Sequence, residues 1–223
     1  MVDAAFYQED IQEGYFFAGR KYARVKWTPY GSEETRTWGP VPIKDYWGSL
    51  NKAGFGTVEA VLPVDGATTE FYFFHGSSVA RIKFTPKAGD DSITDGPLKI
   101  TEKWKCLAGK GFDTVDVTLA VPGKTNEAYF FKGTRYVRLN VVDDRIVYGP
   151  ANVVDEWPGL AKAGFDSIQA SIPIPKDKAK LPGETYFFKG DKYVRVQVIA
   201  SKPDVLTWGP YKLDDYWKTL DWL

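Results

Sequence analysis

Acidic residues recur along this 223-residue chain at places that read as one column: Asp3, Glu59 and Asp116, with Gln169 in the fourth position. They stand in Val-Asp-Ala-Ala, Val-Glu-Ala-Val, Val-Asp-Val-Thr and Ile-Gln-Ala-Ser, each at the head of a short apolar run. If the fold brings four such run heads together, the acids form a ring. If not, each acid simply hydrogen-bonds backbone at the start of a strand. A second acidic column is Glu13, Glu70, Glu127 and Glu184, and an arginine column, Arg24, Arg81, Arg138 and Arg195, follows it. The glutamates could ring a channel mouth and attract cations or a polyamine. They could equally pair across strands with the arginines, and this is the preferred reading, with hairpin register deciding whether the side chains meet.

Nucleophilic chemistry has few candidates. His75 is the one histidine, and its column mates Ala18, Lys132 and Lys189 precede a turn glycine, which places it on a hairpin tip. Cys106 aligns with Ser49, Gly159 and Thr219 and reads as a packed small residue. One cysteine excludes an internal disulfide, and one cysteine with one histidine excludes a Cys/His zinc cluster. There is no glycine-rich phosphate loop, HExxH or Gly-x-Ser-x-Gly. Acids held in a repeated pattern are poor candidates for two differentiated catalytic roles. The chain is therefore read as a non-enzyme.

Lys+Arg and Asp+Glu both number 29, so no long-range field steers the chain to nucleic acid. No apolar run approaches the roughly 20 residues of a membrane-spanning helix. The first residues show no basic and apolar leader and no Asn-x-Ser/Thr acceptor occurs, so the expectation is a cytoplasmic protein, monomeric or homodimeric, and a mature secreted chain trimmed of its signal would read the same.

What positions these residues is a repeat. Tyr-Phe-Phe begins at Tyr15, Tyr72, Tyr129 and Tyr186, a step of 57 residues each time. Glycine follows at Gly19, Gly76, Gly133 and Gly190. Gly-Pro pairs then start at Gly39, Gly96, Gly149 and Gly209, and Trp-x-x-Leu starts at Trp47, Trp104, Trp157 and Trp217. In the third unit, strands are expected over 114–120, 127–131, 136–142 and 145–148, with Gly149-Pro150 ending the last. About two helical turns follow over 153–160. With 8 Trp, 13 Tyr, 14 Phe and 21 Gly, short strands and tight turns are favoured throughout. A unit this small cannot bury its own apolar faces, so four must pack radially. The expectation is an all-β, four-bladed β-propeller, each blade ending in a short helix. It is a single domain over 1–223, with blades at about 1–55, 56–112, 113–165 and 166–223.

The four Tyr-Phe-Phe-x-Gly-x-x-Tyr/Val-x-Arg segments, Asp3-Ala-Ala-Phe6, the Gly-Pro turns and Trp157-Pro-Gly-Leu160 resemble hemopexin repeats over essentially the whole chain. The form is similar to stand-alone single-domain members, the albumin-2 type seed albumins and the mushroom protein ostreopexin. It lacks the cysteine pair that staples first and last blades in secreted proteases, so the ring must close by packing of Trp217, Leu220, Trp222 and Leu223 against the start of the chain. The resemblance implies that backbone carbonyls at Asp3, Glu59, Asp116 and Gln169 coordinate a cation in the channel. It also implies a second ring of carbonyls at Ala5, Val61, Thr118 and Ser171. Such an oxygen-only shell suits calcium or magnesium, with sodium as a further occupant.

Three functions compete. The first is a binding protein with channel cations and a small cationic ligand such as a polyamine. The second is a lectin-like or protein-recognition scaffold that binds a glycan or partner through the loops 28–37, 86–91 and 173–182. The third is a storage or defence protein. Tight haem binding is not expected, because the axial candidates are only His75, Cys106 and Met1, and the acids oppose two propionates.

Overall fold

The computed structural model describes residues 1–223. Sixteen strands form four antiparallel sheets, each a meander of four strands in chain order. The inner strands are Ala4–Gln8, Ala60–Pro63, Val117–Ala120 and Ala170–Pro173, and each contacts the inner strands on either side, closing a ring. The chain is a four-bladed β-propeller with short helical segments between blades. No helix is long and apolar enough to cross a membrane.

The Tyr-Phe-Phe tripeptide shows how alternation builds this ring. Successive strand residues face opposite sides of a sheet. Tyr15 and Phe17 enter the core shared with the second blade, whereas Phe16 enters the core shared with the fourth. The same division recurs in every blade, giving four cores that all lie between blades. Each is lidded by a tryptophan from the helical segment of one contributing blade. Trp104, for example, packs against Phe74 and Phe130 with centroids at 5.8 and 5.2 Å. Fully burying an aromatic side chain contributes about 1.5–3 kcal/mol, so the shared cores dominate the stability of the ring.

At the fourth boundary, Trp217 lies 5.6 Å from both Phe16 and Trp27, and Leu220 is buried beside them. Trp222 packs there partly buried, but Leu223 is exposed and takes no part in closure.

Three local expectations change. The outer strand does not stop at Gly-Pro: in the third blade it runs Arg145–Asn152, with an irregular register around Tyr148 that lets the strand continue past Gly149, whose φ is +84°. A Cβ there would meet the Tyr136 carbonyl at 3.0 Å, so glycine is needed both for φ and for space. The expected helix is two short pieces, Val153–Glu156 and Pro158–Lys162, broken at Trp157. The inner strand begins at Val117, one residue after Asp116.

Candidate functional site

The first acidic column lies at the head of the inner strands, and its side chains have one shared partner. The turn glycine of the adjacent hairpin donates its N–H to Asp3 (Gly19, 2.6 Å), Glu59 (Gly76, 2.9 Å), Asp116 (Gly133, 2.6 Å) and Gln169 (Gly190, 2.5 Å). Three of these glycines have φ of +53° or +54° and the fourth +60°, which leaves their N–H pointing out of the hairpin. An amide oxygen serves as well as a carboxylate, which is why Gln169 fits. The backbone N–H of each column residue also bonds the second Phe of Tyr-Phe-Phe, as in Asp116 to the Phe131 carbonyl at 2.9 Å. These side chains pin hairpins, and no three His, Cys, Asp or Glu groups converge anywhere as a metal cluster.

Two residues further on, Ala5, Val61, Thr118 and Ser171 are all buried at the middle of the ring. The Ser171 hydroxyl donates to the Thr118 carbonyl at 3.2 Å, from one blade to the next. The Thr118 hydroxyl is buried with no partner. The donor set offered by this layer is oxygen throughout, which fits a hard cation such as calcium, magnesium or sodium and does not fit zinc or haem iron.

The second acidic column pairs with arginine in three blades: Arg24–Glu13 at 3.6 Å, Arg81–Glu70 at 2.7 Å and Arg138–Glu127 at 2.5 Å. Register explains the contact, since Tyr129 directly opposes Arg138 and Glu127 lies diagonally across. The fourth blade departs from this pattern. Glu184 receives the hydroxyls of Tyr30 and Thr207, while Arg195 lies between the rings of Tyr30 (4.5 Å) and Trp208 (5.1 Å).

Tyr30 belongs to a column hidden from sequence inspection. Tyr30, Lys87, Asp144 and Ser201 stand 57 residues apart in the loops between third and outer strands, and all four have positive φ. Each reaches back onto the preceding blade. Lys87 bonds Glu13 at 3.0 Å, Ser201 receives a bond from Arg138 at 2.8 Å, and Asp144 accepts the N–H groups of Lys105 and Cys106 at 3.0 and 3.1 Å. Two of the loops expected to recognise partners, 28–37 and 86–91, are thus tied to the neighbouring blade through Tyr30 and Lys87. Residues 34–37 already belong to the outer strand Glu34–Pro42.

These loops also carry a carboxylate that caps the short helix after each tryptophan. Glu34 accepts from Thr219, Asp91 from Ser49, Asp144 from Cys106, and Asp204 from Gly159 and Leu160. This capping accounts for the small-residue column containing Cys106: a Cβ on Gly159 would meet the Asp204 carboxylate at 2.5 Å. Burial and the neighbouring Asp144 push the Cys106 thiol up to about 12, so it is not a thiolate nucleophile. His75 is half-buried rather than solvated. Its Nδ1 lies 2.9 Å from the Thr57 hydroxyl and its ring 5.4 Å from that of Phe55, which corrects the bare hairpin-tip reading.

On the rim, the residue before each Gly-Pro and the residue before each helical tryptophan face one another. The first blade holds Trp38 and Tyr46, with centroids 5.3 Å apart. The second holds the ion pair Asp95–Lys103, the third Tyr148 with Glu156, and the fourth Trp208 with Tyr216 and Tyr211. All these rim aromatics are exposed.

A hemopexin family model matches residues 122–161. Albumin-2 of Lathyrus sativus is 28% identical over 223 residues, covering 98% of this chain and 95% of the relative. Among solved structures, a plant albumin from Cicer arietinum showing hemagglutination aligns with TM-score 0.90 and 26% identity over 100% of this chain and 98% of its own. A plant lectin with two metal binding sites, also from Cicer arietinum, gives the same identity, coverage and TM-score. The hemopexin fold protein CP4 from cow pea aligns with TM-score 0.89 and 28% identity over 100% of this chain and 97% of its own. The resemblance read from the repeat columns is met by the hemopexin model over residues 122–161, and by the plant albumins over nearly the whole chain at under 30% identity.

Proposed function

We propose that this hemopexin-repeat chain is a non-enzymatic binding propeller whose central channel holds cations through backbone carbonyl oxygens. The ligands in this reading are the carbonyls of Asp3, Glu59, Asp116 and Gln169 in one layer and of Ala5, Val61, Thr118 and Ser171 in the next. The observation that carries it is the bond from Ser171 to the Thr118 carbonyl across the blade boundary, which brings inner-strand oxygens of adjacent blades to hydrogen-bond distance. The acidic side chains are engaged by glycine N–H groups, so ligation falls to the main chain. Calcium or magnesium matches such a shell, with sodium as a weaker occupant. The charge argument for a polyamine weakens in the folded protein, because arginine neutralises the glutamate column in three blades.

A ligand that binds only the folded state adds RT ln(1 + [L]/Kd), about 2.7 kcal/mol at 100 times Kd. Millimolar calcium or magnesium should therefore raise Tm by several degrees over chelator-treated protein. An unchanged Tm with every cation refutes the proposal. Asp116→Asn keeps an acceptor for Gly133 and should keep the cation effect; its loss would assign the carboxylate as a direct ligand.

A second reading, glycan recognition, is favoured by the exposed aromatics of the rim and by the hemagglutination of the Cicer arietinum albumin. Tyr and Trp present an apolar face with a polar edge, the combination that stacks on a sugar ring. Agglutination of erythrocytes and a glycan array test it directly.

A further inference from the structure

We propose that the cleft between the third and fourth blades is a binding site for one neutral saccharide unit, stacked on Tyr148 and hydrogen-bonded by Asp155, Glu156 and the Ser201–Arg138 pair. This site rests on the glycan reading above and gives it a place.

The cleft exists because of one residue in the loop-apex column. At the boundary between the fourth and first blades, Tyr30 reaches back and fills the space over Arg195. At the boundary between the third and fourth blades, the same column holds Ser201, which touches Arg138 with only a hydroxyl. The space that a tyrosine ring occupies elsewhere stays open, and a cleft of about 440 Å³ remains. That volume lies within the usual range for small-molecule sites, which is about 300–1,000 Å³.

The walls select the ligand class. Tyr148 is exposed and is backed by Tyr136 at 6.2 Å and 30°, which gives it a firm aromatic face. Arg138 is buried at the bottom but already neutralised by Glu127, so it offers no net charge to an anion. Lys202 lines the cleft together with Asp155, Glu156 and Asp204, an excess of negative charge that turns away anions. An apolar face beside mixed donors and acceptors suits a molecule with one C–H face and a rim of hydroxyls. Carboxylates accept from neighbouring hydroxyls of such a ring, and Glu156 lines the cleft together with Tyr148. The other three boundaries lack this combination. The first blade carries Trp38–Tyr46, with tyrosine where the third blade has Glu156, the second an ion pair, and the fourth a space closed by Tyr30.

The test begins with a glycan array on the whole chain. Titration of the methyl glycoside of the best-bound sugar follows, read by saturation-transfer NMR and calorimetry. Tyr148→Ala should weaken binding about five- to tenfold. Ser201→Tyr, which copies Tyr30 at a backbone φ of +60° against +69°, should abolish it. Trp208→Ala, at the closed boundary, should leave it within about twofold. Near-UV circular dichroism checks that each variant is folded; Tyr148 is exposed, so its variant stays informative even if Ser201→Tyr does not fold. Binding that survives both cleft variants, or that only Trp208→Ala removes, overturns this site while leaving glycan recognition standing. An array with no bound glycan at all overturns the glycan reading and the site with it.

Discussion

The ion pair of the second blade and its counterpart in the fourth occupy the same place in the repeat yet live in different surroundings. Glu70 and Arg81 meet at 2.7 Å, with Arg81 left 34% exposed. Glu184 and Arg195 are both buried, held by Tyr30 rather than by each other. The cause lies one blade further on. The loop facing the second blade is only residues 141–144, too short to cover Arg81, and its apex Asp144 turns to cap the 3₁₀ helix at Lys105–Leu107. The loop facing the fourth blade, residues 28–33, is long enough to lay Tyr30 over Arg195. Burial of a repeated charge is therefore set by a neighbour's loop length and not by the charge itself.

The comparison can be broken most forcefully where the ring closes. Trp217→Ala removes the lid of the core between the fourth and first blades and should cost about 3–5 kcal/mol. Because every core is shared by two blades, melting should remain a single transition in this variant. Two calorimetric transitions, or a stable half-length fragment on limited proteolysis, would show that the blades do not act as one unit.

Tyr30→Ala should cost less, about 2–4 kcal/mol by urea unfolding. It strips the ring from Arg195 and leaves the buried Glu184 and Lys180 N–H without that hydroxyl. Tyr30→Phe keeps the ring and should cost about 1–2 kcal/mol, which separates stacking from hydrogen bonding. Equal losses for the two variants would mean that the hydroxyl alone matters.

The smallest effect belongs to the open pair. Burial opposes ionisation of Glu70, but the bonds from Arg81 and Thr94 win and hold its carboxyl below the ordinary 4.5. A folded pKa below the unfolded one gives stability that is present above about pH 4.5 and is lost as pH falls through the folded value. Glu70→Gln should therefore lower stability slightly at pH 7, by less than about 1 kcal/mol, and the gap to the parent should vanish towards pH 3. A gap that widens in acid would contradict this assignment.

The propeller was legible in the sequence because its columns repeat residue type as well as position. Tyr-Phe-Phe, the turn glycine and the helical tryptophan are each asked to do one thing four times. The acidic column was visible too, but its employment was not. That Asp3, Glu59, Asp116 and Gln169 all serve a glycine N–H depends on hairpin geometry, which sequence spacing does not specify. The loop-apex column escaped notice for the opposite reason. Tyr30, Lys87, Asp144 and Ser201 share a backbone conformation and a direction of reach while differing in every chemical property. The 57-residue step was the signal that could have found them. The capping acids were harder still: Glu34, Asp91, Asp144 and Asp204 are unevenly spaced because the loops differ in length.

That backward reach gives the ring a sense of circulation. Each loop apex acts on the blade before it, and the last such contact, Tyr30 onto the fourth blade, completes the circuit. A loop exchanged between blades would change the rim chemistry of its predecessor while leaving the blade that carries it almost untouched. For an engineer, the four loops are four separate dials, each turning the pocket one step behind it. For selection, the same geometry means that an insertion in one repeat is judged by the repeat upstream.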